Sequence, residues 1–274
     1  MPYTTDIMGR SNSLRQSMTL KNLFDITCSQ GERPASHWLE GEQDRLYTYG
    51  DLRQKSLDYA AYLAQQLGEN NKGRFVAIQQ ETCKEWFPLF WGLIMAGYNA
   101  LLLDANLSDE MTGHMLKEAG AVGVITHRKH LIDKGYVQVL SEDLFKAPAA
   151  PAGFEPTFAD SVALCTSGTT ATSRIFVYDE EAICHQVLNS ELLYNANRRI
   201  ISGEPERSLA FLPFHHIFGF MVNLLWSNFI GFETVFIKDR APETILGTSR
   251  RFKITFLCAV PLLANSLSVS LNKK

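Results

Sequence analysis

The chain has 274 residues, of which 46% are hydrophobic and 20% are charged, the composition of an ordinary globular protein. Its 26 basic and 29 acidic residues give a net charge of −3, so no basic field favours nucleic acid as a partner. The five cysteines are scattered and form no CxxC pair, which favours a reducing cytoplasm over a disulfide framework.

Neither the N-terminus nor the apolar stretches predict a membrane segment. Residues 1–20 are polar and lack the apolar core of a secretory signal, so we expect a disordered terminus. Residues 86–103 and 208–231 contain no Asp, Glu, Lys or Arg, but prolines, glycines and polar side chains interrupt both stretches. We interpret them as buried helices and strands of a large core, with no membrane span.

Helices and short apolar strands alternate in the first half of the chain. In chain order, the predicted elements are a helix at 20–28, strands at 37–39 and 45–48, a helix at 52–67, a strand at 75–78, a helix at 86–96, a strand at 100–103, a helix at 108–119, and strands at 122–126 and 136–140. Ser108 is the expected N-cap of the helix at 108–119, and Gly68 is the expected C-terminal end of the helix at 52–67. The alternation predicts an α/β fold, with layered sheets that carry helices on both faces.

The second half contains fewer regular signals. After a linker at 147–160, rich in Pro, Ala and Gly, we predict strands at 162–165 and 175–177 and a helix at 180–196, which Asp179 caps and which buries Ile183, Val187, Leu188 and Leu192. Further strands are predicted at 209–211, 234–237 and 254–256. The expected division is a tail at 1–19, a first α/β subdomain at 20–146, the linker, and a second subdomain at 161–274.

Five small residues, Thr166, Ser167, Gly168, Thr169 and Thr170, follow the strand at 162–165. Four carry hydroxyls, and Gly168 allows close backbone approach, so the loop suits an anion. Arg174 at the far end of the loop supplies a guanidinium cation, which can bind phosphate oxygens through two hydrogen-bond donors. The alternative interpretation is a Ser/Thr-rich surface turn, which composition alone slightly favours.

The sequence of this loop also resembles a known family signature. "TSGTTATSR" resembles the signature TSGTTG-x-PKG of the acyl-adenylate-forming enzymes, with Arg174 at the position of the family's Lys. Ala171, Ser173 and Ile175 replace the family's Gly, Pro and Gly. The resemblance implies that Thr166, Ser167, Gly168, Thr169, Thr170 and Arg174 hold the β- and γ-phosphates of ATP.

Other stretches extend the likeness from about residue 20 to residue 263. "YTYGDL", "GRFVAI" and "GLIMAGYNALLLDANL" are similar to family elements, and "LPFHHIFGF" closely resembles LPLFHIFG. His216, Phe218 and Gly219 match the last motif, whereas His215 falls on an aromatic position. The family implies that His216, Phe218 and Gly219 border the acyl pocket. Two other interpretations of the histidines stay open. One of them could cap the start of a helix, or the two together could bind a metal. A histidine pair without a third ligand is weak evidence for a metal site.

The resemblance implies an ATP-dependent ligase that uses ATP and Mg²⁺. The reaction joins a small-molecule carboxylic acid to AMP and then passes the acyl group to a thiol, such as that of CoA or a carrier protein. The family's YG-x-TE element, its ribose-binding Asp and its C-terminal catalytic Lys have no match in these 274 residues, so no catalytic residue is assigned. We therefore expect the N-terminal part of a ligase, inactive alone, with a separate C-terminal polypeptide or self-association as its partner.

A second function class stays open. Ala171, Ser173, Ile175 and Asp179 depart from the family pattern and favour a degenerate, non-catalytic homologue that acts as a binding or interaction module. A P-loop kinase is excluded because no GxxxxGK[ST] motif occurs. A serine hydrolase is excluded because Ser167 lacks the glycine that precedes the nucleophile in GxSxG.

Overall fold

The structure, a computed structural model, describes residues 2–130, 132, 135–166, 174–197 and 206–258. The first elements are α1 (Pro2–Gln16), α2 (Leu20–Cys28), β1 (Pro34–Glu40), β2 (Gln43–Thr48), α3 (Tyr49–Leu67), a 3₁₀ turn (Glu69–Asn71), β3 (Phe75–Gln79), α4 (Trp86–Met95), β4 (Asn99–Leu102), α5 (Asp109–Glu118) and β5 (Gly123–Thr126). They are followed by β6 (Val137–Leu140), α6 (Ser141–Leu144), β7 (Ser161–Thr166), β8 (Arg174–Asp179), α7 (Glu180–Ala196), β9 (Arg207–Ala210), a π-helix (Gly219–Trp226), α8 (Ser227–Ile230), β10 (Glu233–Phe236) and α9 (Pro242–Phe252).

Two mixed sheets organise these elements. The larger sheet has the strand order β6-β5-β3-β4-β7-β8, and the smaller one has the order β2-β1-β10-β9. All neighbours are parallel except the pairs β7–β8 and β1–β2. Each sheet contains strands from both sides of residues 147–160, so this stretch joins parts of the same two sheets. The predicted α/β architecture of layered sheets and flanking helices is confirmed.

The helix ends follow their capping residues, as predicted. Ser108 accepts a hydrogen bond from the backbone N–H of Met111 at the start of α5, and Asp179 accepts one from Ala182 at the start of α7. Thr48 and Asp51 form a reciprocal capping box at the start of α3, and Gly68 ends that helix with a positive φ of 78°. Each N-terminal cap satisfies backbone donors that the first turn of a helix leaves unpaired.

The most apolar stretch forms a helix inside the protein. Every residue of α4 is buried, and α4 packs so closely on α3 that a Cβ added at Gly92 would lie 2.7 Å from Tyr59 Cβ. Burial against other helices explains the lack of charge in this segment. Among the helices of the described residues, none is long and apolar enough to cross a membrane.

The N-terminus differs from the expected disordered tail, because it forms α1. Ile7 and Leu14 of α1 are buried, Arg10 donates a hydrogen bond to the carbonyl of Ile230, and Arg15 pairs with Glu191 at 2.8 Å. The two apolar residues lie on the same face of the helix, at i and i+7, but they are too few to produce a recognisable amphipathic pattern. Contacts with distant residues, rather than the local pattern, determine this helix.

Three smaller expectations also differ. Leu192 of α7 is 68% exposed rather than buried, because Glu191 occupies the inward position and pairs with Arg15. The strand expected at 254–256 is reduced to a single bridge between Ser208 and Phe256. The buried helix expected within residues 208–231 is a π-helix that continues into α8, and α9 has no counterpart among the predicted elements.

Candidate active site

The carboxyl ends of four parallel strands, two from each sheet, open into one cavity of about 530 Å³. Residues after β3 and β4 form one side, and residues after β9 and β10 form the other. The lining residues are Glu81, Thr82, Asp104, Ala105, Asn106, Ala210, Pro213, His215, His216, Ile237, Lys238, Asp239 and Arg240. Ligands of α/β proteins bind in crevices outside the carboxyl ends of parallel strands, so this cavity is the candidate site.

Both histidines of the "LPFHHIFGF" motif lie in this cavity. Their rings are 4.3 Å apart between centroids, and the turn that carries them is closed by a hydrogen bond from the His216 N–H to the carbonyl of Pro213. His216 is exposed at the surface of the cavity, whereas the side chain of His215 is only 13% exposed. The Nε2 atom of His215 is buried 3.7 Å from a carboxylate oxygen of Asp104 and has no hydrogen-bond partner among the described residues.

The surroundings of His215 favour a neutral imidazole. Burial is the largest cause, and together with the adjacent His216 and with Arg240 it lowers the pKa of His215 to about 4, against the opposing effect of Asp104. A neutral imidazole offers one donor and one acceptor to a ligand. At neutral pH, His215 therefore adds polarity but no charge to the cavity wall.

This shifted pKa predicts a loss of stability in mild acid. The unfolded chain protonates histidine near pH 6.5 and the folded chain near pH 4, so the unfolded state binds more protons between these values and the free energy of unfolding falls as the pH drops through that window. Replacement of His215 by Phe, the aromatic residue type that the motif has here, should remove this part of the pH dependence. Urea unfolding at about pH 7 and about pH 5 measures this change in the free energy of unfolding.

The matched control variant is His114→Phe, at an exposed position of α5. It should lose stability between the two pH values like the wild type. An equally steep loss in His215→Phe would contradict the prediction.

Phe218 and Gly219 lie beside the cavity and do not line it. The side chain of Phe218 is 44% exposed. Gly219 is buried at the start of the π-helix, where a Cβ atom would overlap the backbone of Pro213. Both residues follow the turn that carries the histidines, and their role at an acyl group stays a prediction.

The structure describes only the two ends of the predicted phosphate loop. Thr166 ends β7 and Arg174 begins β8, and the two residues lie opposite each other in the antiparallel register. Ser167, Gly168, Thr169 and Thr170 lie outside the described residues. Within the described part of the chain, no carboxylate pairs with the exposed guanidinium of Arg174.

Charged side chains line the remainder of the cavity. Glu81, Asp104 and Asp239 contribute carboxylates, and Lys238 and Arg240 contribute cations. Hydrogen bonds from Thr244 and from the backbone of Ala241 lower the pKa of Asp239. The carboxylate of Asp239 therefore already has partners at the start of α9. No group of three or more His, Cys, Asp or Glu side chains with metal-site geometry occurs in the part of the chain that the structure describes.

Comparison with known proteins agrees with the strand arrangement and the motifs. The AMP-binding enzyme family matches residues 27–274. The chain belongs to this family. A comparison with curated protein sequences found no match.

Solved structures of adenylate-forming enzymes share the fold of this AMP-binding family member. It superimposes on o-succinylbenzoate CoA synthetase (MenE) from Bacillus subtilis in complex with the acyl-adenylate intermediate OSB-AMP with a TM-score of 0.74 at 20% identity, covering 90% of this chain and 50% of that one. A nonribosomal peptide synthetase gives a TM-score of 0.72 at 20% identity, covering 91% of this chain and 26% of that one. The N-terminal subdomain of Klebsiella oxytoca NpsA in complex with anthranilyl-AMSN gives 0.69 at 19%, with 87% and 60% covered. The chain thus spans about half the length of the first of these enzymes.

Sequence reasoning missed several cavity residues of this AMP-binding chain. Thr82, Lys238 and Arg240 lie in none of the quoted motifs, and Asp104 lies within the GLIMAGYNALLLDANL element without being singled out as a site residue. Their common signal is position, because each of them follows a predicted parallel strand within a few residues. The relative placement of the two sheets, which the sequence does not reveal, brings them together.

Proposed function

We propose that this chain takes part in the ATP-dependent activation of a small carboxylic acid. The acid would attack the α-phosphate of ATP in line, forming an acyl-adenylate and releasing pyrophosphate, and a thiol of CoA or of a carrier protein would then accept the acyl group. One observation carries the proposal. β7 lies beside β4 in parallel, with Leu164 opposite Leu102, so Thr166 at the end of β7 lies at the same edge of the sheet as Asp104 in the cavity.

The proposed phosphate site consists of Thr166, Ser167, Gly168, Thr169, Thr170 and Arg174. The described ends of this loop suit a polyphosphate, because Arg174 is exposed, has no carboxylate partner among the described residues, and begins the strand that returns from the loop. MenE has been solved with ATP and a magnesium ion, which supports the same pair of ligands here. Mg²⁺ would neutralise charge on the phosphates. We assign no residue of this chain as its ligand.

We propose that the acyl group binds on the side of the cavity that His216 lines, beside the chain that continues through Phe218 and Gly219. Binding there would fix the carboxylate near the phosphates, and orientation of this kind contributes much of the rate in reactions between two bound groups. We also propose that the chain works in the cytoplasm. If residues 20–146 and 161–274 are taken as the two predicted subdomains, the two segments share both sheets.

A polypeptide of residues 1–274 should bind Mg·ATP but should not catalyse acid-dependent exchange of pyrophosphate into ATP. Loss of one charge-stabilising group costs about 10²–10³-fold in rate, and the family motifs that supply several such groups have no match in these residues. The assay would test short, medium, long-chain and aromatic acids. Robust exchange by this polypeptide alone would contradict the expectation. Exchange that begins only when a C-terminal polypeptide is added would support a split enzyme, and self-association is the alternative partner.

A non-catalytic binding module is the second candidate. The position of Asp179, where the family often has the first residue of a Thr-His pair, is used here to cap α7. Ala171, Ser173 and Ile175 also replace family residues. Mg·ATP binding without exchange under any complementation would favour this candidate, whereas exchange in the complemented protein would favour the ligase.

A further inference from the structure

Glu85 is a buried carboxylate that no part of the predicted site uses. It directly precedes α4, is 6% exposed, and makes no capping hydrogen bond to that helix. Its carboxylate oxygens instead accept hydrogen bonds from Tyr47 Oη at 2.9 Å and from Tyr59 Oη at 2.8 Å. Burying a carboxylate is costly unless it is paired and hydrogen-bonded, so these partners must compensate a large desolvation penalty.

Two lysines complete the surroundings of this carboxylate. Lys55 Nζ lies 3.5 Å and Lys84 Nζ 3.6 Å from its oxygens. Lys55 also lies over the rings of Tyr47 and Tyr59, each at 5.2 Å, and Lys84 lies 4.3 Å above the ring of Trp38. Burial and the nearby Glu85 raise the pKa of both tyrosines, so both hydroxyls remain donors. The cluster joins β1, β2, α3 and the loop before α4 at one point.

The same loop reaches the histidine pair from its other end. Thr82 Oγ1 accepts a hydrogen bond from the backbone N–H of Phe214 at 3.3 Å, directly before His215. Trp86, the residue after Glu85, packs edge-on against the ring of Phe214 at 5.6 Å, and its indole N–H donates to the carbonyl of Gln80. Phe214 itself is 1% exposed, so its position is fixed by these contacts.

We propose that Glu85 is a positioning residue for the histidine pair. Its hydrogen bonds and ion pairs hold the segment 80–86, which fixes Phe214 through Thr82 and Trp86 and thereby sets where His215 and His216 stand in the cavity. This positioning role rests on the proposed function in one respect only, which is that the cavity is taken as the ligand site. The positioning itself is a property of the ligand-free protein and is measured without any ligand.

The matched control is Glu233, a carboxylate with similar burial and a different location. It is 6% exposed and pairs with Arg207 at 2.7 Å and with His37 at 3.0 Å. It begins β10, at the opposite end of that strand from the cavity. Glu85→Gln and Glu233→Gln therefore make the same chemical change in two buried ion-pair clusters, and only the first cluster contacts the histidine loop.

The experiment is a comparison of histidine imidazole NMR spectra in the two variants and the wild-type protein. In Glu85→Gln, we expect the signals of His215 and His216 to shift several times further than in Glu233→Gln, while His114, exposed on α5, keeps its signal in both. Equal shifts of the pair in both variants, or an unchanged pair in Glu85→Gln, would overturn the proposal. If Glu85→Gln does not fold, Tyr47→Phe and Tyr59→Phe each remove one hydrogen bond to the same carboxylate, and the same comparison applies to them.

A titration of the wild-type protein with Mg·ATP separates this result from the proposed function. If Mg·ATP does not bind while the imidazole signals respond to Glu85→Gln, the proposed function is contradicted and the positioning role is supported. If Mg·ATP binds but the imidazole signals do not respond, the positioning role is wrong and the proposed function stands.

Discussion

Replacing Gly219 by alanine should destabilise the protein by about 3 kcal/mol or more, near the upper end of the cost of overpacking. A Cβ at this position would overlap the carbonyl oxygen of Pro213 and would lie 2.8 Å from its carbonyl carbon. Both atoms belong to the backbone of the turn that carries the histidine pair, so no side-chain rotation relieves the overlap. Either the π-helix or the turn must move, and the turn also holds the hydrogen bond from the His216 N–H to Pro213.

Urea unfolding of Gly219→Ala beside Gly247→Ala measures this effect. Gly247 lies inside α9, and a Cβ added there would meet no atom within 4 Å. Alanine is favoured over glycine within a helix by about 0.5–1 kcal/mol, so the control should gain stability by roughly that amount. A loss of stability in Gly219→Ala no larger than about 0.5–1 kcal/mol, the size of the gain expected in the control, would contradict the prediction. It would show that the turn relaxes without cost.

Individual helices of this protein could be predicted because the sequence signals that define them lie close together in the chain. Ser108 and Asp179 cap their helices through side-chain oxygens, and Gly68 ends α3 in a conformation that favours glycine. The helix ends therefore follow from residues within one turn. The uncharged stretch at 86–95 predicted burial, and every residue of α4 is buried.

What the sequence did not reveal depends on residues far apart in the chain. The helix α1 is held by the carbonyl of Ile230 and by the pairing of Arg15 with Glu191. The cavity places Asp104, after β4, 3.7 Å from His215, which follows β9 in the other sheet. Local patterns give the strands but not the placement of one sheet against the other, so the histidines were predicted and the charged residues facing them were not.

Removal of the guanidinium of Arg174 should weaken the binding of Mg·ATP by about 1–3 kcal/mol, the scale of a hydrogen bond to a charged group. This corresponds to a dissociation constant about 5- to 150-fold higher. Arg174 begins β8 opposite Thr166, so its side chain stands where the loop returns to the sheet. Because the proposed contacts are to the β- and γ-phosphates, Arg174→Ala should weaken pyrophosphate binding by a similar factor and leave AMP binding unchanged.

Calorimetric titration of three variants with Mg·ATP, pyrophosphate and AMP tests this assignment. Arg174→Lys keeps the positive charge and introduces the residue type of the family motif, so it should retain most of the affinity, although a lysine loses the paired donors of a guanidinium. Arg45→Ala removes an exposed arginine from β2, where its side chain pairs with Glu40, and should bind all three ligands like the wild type. Equal affinity of Arg174→Ala and wild type for Mg·ATP would reject the phosphate role. A parallel loss of AMP affinity would show instead that the substitution disturbs the site as a whole, because AMP lacks the two phosphates that Arg174 is proposed to hold.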